Sequence, residues 1–127
     1  VKQYSLCCTF DEIDEYLSLV PESTGLLLDL GHLNVSSSIV GFNRREFLEQ
    51  YLAKYGHRLK EVHISENGGR YDEHLPIKSG SWQLEALDLI ASCSTPDDAE
   101  RVYCVEVRKA EVRQLQESVD LVRDALG

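Results

Sequence analysis

The chain switches repeatedly between two hydrophobic rhythms. Phe10, Ile13, Tyr16, Leu17 and Val20 recur at helical spacing behind Thr9-Phe10-Asp11-Glu12, a stretch that fits a capping box. Pro21 closes that helix. Gly25 to Gly31 then reads as a short strand, apolar nearly throughout, as parallel strands covered on both faces are. The Ser- and Gly-rich stretch from Asn34 to Asn43 reads as a loop. Asn43 caps a second predicted helix, with Glu46 at its third position and Phe47, Leu48, Tyr51, Leu52 and Tyr55 on one face. Gly56 is the expected stop.

Leu59 to Ser65 alternates strictly. Val62 and Ile64 point one way, and Glu61, His63 and Ser65 the other. Asn67 to Gly80 is a long polar loop with room for a short strand. Ser81 caps a third helix carrying Leu84, Leu87, Ile90 and Ala91, Ser94 to Glu100 forms a turn, and Arg101 to Arg108 makes a third clear strand. The last helix sets Val112, Leu115, Val119, Val122 and Leu126 on one stripe.

Helices alternating with parallel-type strands define an α/β fold. No linker or low-complexity stretch divides it, so residues 1–127 are read as a single domain. Three or four βα units are present, whereas a closed eight-unit barrel needs about 250 residues. With 127 residues the chain is half of that.

Composition narrows the function. Apolar residues make up 43% and charged residues 28%, the balance of a water-soluble globular domain. No apolar run could span a bilayer, and nothing near Val1 resembles a signal peptide. A chain that starts with Val rather than Met is expected to have been processed or cut from something longer. The net charge of −9 argues against nucleic acid as a partner, because phosphate binding needs clustered Lys and Arg. Cys7, Cys8, Cys93 and Cys104 show no CxxC spacing and read as small buried residues in a reducing compartment, hence the cytoplasm.

In α/β folds the chemistry sits at the carboxyl ends of the strands. Asp29 and His32 close the first strand in "LLLDLGHLN", and His63 closes the second. Asp72 and His74 lie in the loop beyond, and Glu106 sits late in the third, between Val105 and Val107. Each has a plain structural explanation alone. Asp29 can cap the adjoining loop, Asp72 can form a turn, and Glu106 can be a solvated edge residue. Three imidazoles and three carboxylates converging on one rim are instead a metal-ligand set. Zinc, manganese and iron suit those donors, and magnesium ranks behind them. His57, after the stop at Gly56, lies at the opposite end and reads as surface or capping.

The order "DLGH", "EVHIS", "YDEHLP" and "CVEV" closely resembles the xylose-isomerase-like TIM barrels, which include sugar-phosphate isomerases and epimerases and the apurinic-site endonucleases. The resemblance covers nearly the whole chain. It implies that Asp29, His63 and Glu106 are three of the four ligands of a shared divalent metal. It also implies that His32, Asp72 and His74 form the set holding a further zinc in the endonucleases, while in the isomerases positions near them contact the sugar or its phosphate. Glu106 resembles the glutamate that shuttles a proton during epimerisation opposite a second glutamate. That second glutamate belongs about thirty residues before Asp29, beyond the start of this sequence. Glu12 and Glu15, the nearest acids, fall on the first helix. The histidine ligands of the early strands are absent too. The resemblance therefore implies the C-terminal half of a (β/α)8 barrel, beginning after its fourth strand.

A metal-dependent isomerase or epimerase acting on a small sugar or sugar phosphate is the leading expectation, with the isolated half turning over little. Lys78 and Arg108 can meet a phosphate or carboxylate, or be solvated charges. The alternatives are a multinuclear zinc phosphodiesterase of the apurinic endonuclease type, a multinuclear iron oxidase that modifies peptides, and a non-catalytic half-barrel that binds a partner. Open sheet edges call for cover. A partner surface is expected along the first strand, filled by an N-terminal half-barrel or by a second copy of the chain.

Overall fold

The computed structural model describes residues 7–93 and 100–127. The turn expected over Ser94 to Glu100 lies almost wholly outside them. Helix α1 (Phe10–Ser18) leads into strand β1 (Leu26–Asp29) and helix α2 (Leu30–Val40). Helix α3 (Arg44–Tyr55) and a 3-10 turn (Gly56–Arg58) precede β2 (Leu59–Ile64). Helix α4 (Trp82–Ser92), β3 (Val102–Val105) and α5 (Val112–Leu126) complete the order. The strands form one parallel sheet in the order β1-β2-β3.

The caps follow the sequence. Thr9 accepts from the Glu12 amide, and the Glu12 carboxylate accepts from Thr9 in return. Asn43 accepts from Arg45 and Glu46, and Ser81 from Gln83. Helix α1 ends at Ser18, before Pro21, so Val20 packs from outside it.

Two local expectations are corrected. The stretch from Asn34 to Asn43 is not a loop: most of it is the second half of α2, which starts directly off β1. Serines have modest helix propensity, but Leu30, Leu33, Asn34 and Ser37 are buried against neighbours, and tertiary packing overrides that preference. Helix α3 stops at Gly56 as expected, and with φ −56° the chain runs on there into the 3-10 turn. A left-handed glycine, Gly41, ends α2. The cysteines form no disulfide and are not buried: Cys7 is exposed, and Cys8, Cys93 and Cys104 are half-buried.

One face of the sheet is covered. Leu28, Val62 and Ile64 pack with Phe47, Leu48 and Tyr51 of α3 and with Leu87 and Ile90 of α4. Arg101 clamps the amino end of the sheet by donating to the carbonyls of Leu59 (3.0 Å), Ile90 (2.5 Å) and Gly56 (3.0 Å). The other face is open. Leu27, Glu61 and Val102 align in register across the three strands. Leu27 is 49% and Val102 56% exposed, although both are apolar. No helix among the described residues is long and apolar enough to cross a membrane.

Candidate metal centre

The register of the sheet builds the site. Asp29, His63 and Cys104 pair in one row across β1, β2 and β3, at the carboxyl ends of the strands. The row of Leu27, Glu61 and Val102 lies two residues below it, on the same face. Glu106 comes just after β3 rather than lying within it, yet its amide still donates to the Ile64 carbonyl at 2.9 Å. His32 is likewise not in the strand but in the first turn of α2.

Asp29 has two tasks. Its Oδ1 accepts from the His32 amide at 2.8 Å and so caps α2, the plain role that its position suggested. Its Oδ2 remains 3.6 Å from His32 Nδ1. Gly31 lets α2 begin this close to the end of β2. A Cβ there would stand 2.8 Å from Ser65 Oγ, 3.1 Å from the Ser65 carbonyl and 3.3 Å from Asp29 Oδ1.

The loop after β2 is pinned from several sides. Glu66 and Leu75 exchange backbone hydrogen bonds at 3.0 and 2.8 Å, an isolated bridge in place of the short strand that the polar loop had room for. Asn67 donates to the Gly31 carbonyl at 2.9 Å and accepts from Asn34 at 2.8 Å. The Arg108 amide donates to the His74 carbonyl at 2.9 Å. Within this frame His74 is buried and holds a left-handed backbone, φ 53°, which is uncommon for a residue with a side chain.

The side chains form an unbroken string of alternating acids and imidazoles. Glu61 Oε1 lies 2.7 Å from His63 Nε2, and His63 Nδ1 lies 3.4 Å from Glu106 Oε2. Glu106 Oε2 is 3.9 Å from His74 Nδ1. His74 Nε2 is 2.8 Å from Asp72 Oδ2, which is 3.2 Å from His32 Nε2. Asp29 ends the string through His32, so all six residues expected to hold metal are in it. Lys78 and Arg108 are exposed and take no part in it, and His57 is exposed at the far end of β2. Glu61 and Cys104 were not among the expected residues. Alternation along "LKEVHIS" already put Glu61 on the face of His63, and "CVEV" set Cys104 two residues before Glu106.

Hydrogen bonding settles which nitrogens are free to bind. A carbonyl only accepts, so His74 donates Nδ1–H to the Glu106 carbonyl at 3.0 Å and turns Nε2 toward Asp72. Glu61 holds His63 Nε2 and turns Nδ1 toward Glu106. An imidazole anchored through one nitrogen, with the other facing a carboxylate, is how histidine is presented to a metal ion. Without a cation, protons take its place. Burial pulls the His63 pKa down, but the Glu61 hydrogen bond and the charges of Glu106, Glu61 and Asp29 outweigh it and leave it raised. Burial pushes Asp72 up, but hydrogen bonds and charge from His32 and His74 hold its carboxyl below the usual value. Burial, then the charges of Glu106 and Glu61, push the Cys104 thiol up.

Comparison with known proteins places the fold. No family model matches, and no curated protein does. Among solved structures, the crystal structure of a D-tagatose 3-epimerase-like protein superposes with a TM-score of 0.73 at 23% identity. The match covers 99% of this chain and 43% of that one. The chain is thus a parallel α/β assembly with the architecture of part of a TIM barrel, and it spans less than half of that neighbour.

Proposed function

We propose that this chain carries the metal-binding part of a sugar or sugar-phosphate isomerase or epimerase. The observation that carries the reading is the acid–imidazole string at the carboxyl ends of the strands. Its donors fit a divalent zinc, manganese or iron ion: neutral-capable imidazole nitrogens oriented by outer partners, with carboxylates beside them. Asp29, His63 and Glu106 would hold the ion. A bound divalent ion polarises oxygens on neighbouring carbons and so acidifies the carbon that must lose its proton. Glu106, about one-third exposed, is open enough to reach that proton and return one. The likeness to a D-tagatose 3-epimerase-like protein supports this chemistry.

The reading also requires a partner. The exposed row of Leu27, Glu61 and Val102 faces the side that other strands line in a closed barrel. An apolar cavity of about 250 Å³ opens along β1, lined in part by Tyr16, Leu17, Leu26, Leu27 and Leu33. An N-terminal half-barrel would fill that side better than a second copy, a reading supported by the more than half of the superposed neighbour that the match leaves over. That half would also supply the second proton-moving acid.

The test is isotope exchange. With its barrel completed and manganese or zinc supplied, the protein should wash deuterium from D2O into a ketose at a carbon beside the carbonyl, and Glu106→Gln should abolish the exchange. A metal-loaded, completed barrel that exchanges no proton on a panel of ketoses and their phosphates contradicts the reading.

One observation favours a second reading. Asp72 lies between His32 and His74, at 3.2 and 2.8 Å, as a group separate from His63. This suits a multinuclear site of the phosphodiesterase type, against which the net charge of −9 still counts. More than one metal per completed barrel, with cleavage of an abasic duplex, would favour it.

A further inference from the structure

Cys104 has no task in the chemistry proposed so far. It pairs in register with His63, and Glu106 stands two residues beyond it. One nitrogen of His63, the Cys104 Sγ and one carboxylate oxygen of Glu106 all lie within 4.8 Å of one another. Among the described residues no other trio of His, Cys, Asp and Glu donors closes this tightly.

We propose that Cys104 gives a thiolate to the same cation that His63 and Glu106 hold, so that the centre prefers zinc or another thiophilic ion over manganese or magnesium. The proposal rests on the metal reading above and adds the identity of a ligand and the class of ion. Metal–donor bonds of about 2.0–2.3 Å in a tetrahedral centre put ligand atoms roughly 3.3–3.8 Å apart. His63 Nδ1 and Glu106 Oε2 already stand at 3.4 Å, and Sγ lies within 4.8 Å of a donor atom of each residue. Glu61 fixes the far nitrogen of His63, the outer support that a ligating imidazole needs. Cys104 is free and half-buried, so an ion can reach it, and it has no disulfide to make. Its Sγ stands among charged groups rather than in the apolar core. On binding, the S–H bond breaks, a metal–sulfur bond forms, and the proton leaves to bulk water. A soft sulfur donor raises affinity for zinc and cobalt more than for manganese or magnesium.

Cobalt(II) makes the thiolate visible. The 127-residue chain, kept reduced without added thiols, is titrated with cobalt(II) into the millimolar range beside Cys104→Ser. The expected result is a thiolate-to-cobalt charge-transfer band that saturates in the parent, persists in Cys7→Ser/Cys8→Ser/Cys93→Ser, and is lost in Cys104→Ser. Zinc affinity should fall in Cys104→Ser by at least the ~10–100-fold that losing even an outer partner costs, and manganese affinity by much less. Zinc absorption fine structure on the parent, with sulfur at about 2.3 Å, gives the same answer should the variant fail to fold. Cobalt bound without the band, or a band unchanged in Cys104→Ser, overturns the thiolate assignment and leaves the metal reading standing. No cobalt bound at all overturns both.

Discussion

His74 donates Nδ1–H to the backbone carbonyl of Glu106 across 3.0 Å. That bond ties the loop after β2 to the end of β3. It leaves Nε2 of His74 2.8 Å from Asp72 and holds the histidine in a left-handed backbone, φ 53°. A buried polar side chain in an uncommon backbone geometry is kept only where its surroundings over-determine it. Here they are the Arg108 amide on its carbonyl and the Glu66–Leu75 pairing beside it.

Asp72 makes the metal-free site sensitive to acid. Its partners hold its pKa below the ordinary value, so the stability it contributes is present above about pH 4 and is lost as pH falls through the depressed value. Asp72→Asn should therefore be less stable than the parent near pH 6, with the gap closing toward pH 2. Urea midpoints in chelator across that range check this. A gap that widens in acid contradicts it.

Gly31→Ala tests the close approach of α2 to β2. The new methyl would meet the Ser65 side chain at 2.8 Å and its carbonyl at 3.1 Å, and backbone cannot yield cheaply. A loss of about 1–3 kcal/mol is expected, the ordinary cost of overpacking. Denaturant unfolding of the two proteins measures it, and an unchanged midpoint would show that α2 has room to shift.

Tyr51 sets the alkaline limit. Burial raises its pKa to about 12, against a smaller lowering from Arg58. The unfolded chain ionises this phenol near pH 10, so stability is intact below that and falls between about pH 10 and pH 12. The loss reaches about 2–3 kcal/mol. Tyr51→Phe should lose less stability over that interval, as read by urea midpoints. Parallel losses in the two proteins would place the phenol in water.

Much of the frame was legible because periodicity and caps agree along the chain. Thr9, Asn43 and Ser81 mark true helix starts, and the alternation in "LKEVHIS" separates the core side of β2 from the site side. The carboxyl-end rule then brought His63, Glu106 and the "YDEH" pair to one rim. Helix α2 was hidden because Ser36, Ser37 and Ser38 read as a loop, while its formation depends on burial that propensity does not carry. Its start was hidden for a related reason: Asp29 both ends a strand and caps a helix, with no residue between. Cys104 was passed over because a single cysteine in a strand looks like a small core residue until the register sets it beside His63.

The central claim is that His63 and Glu106 hold one cation at the carboxyl end of the sheet, where Asp29 pairs in register with His63. Anomalous diffraction from crystals grown with zinc tests it directly. The account predicts a single strong peak about 2.0–2.2 Å from a His63 nitrogen and a Glu106 oxygen. Zinc found only at outward-facing side chains, with the Glu61–His63–Glu106 contacts unchanged, would contradict it.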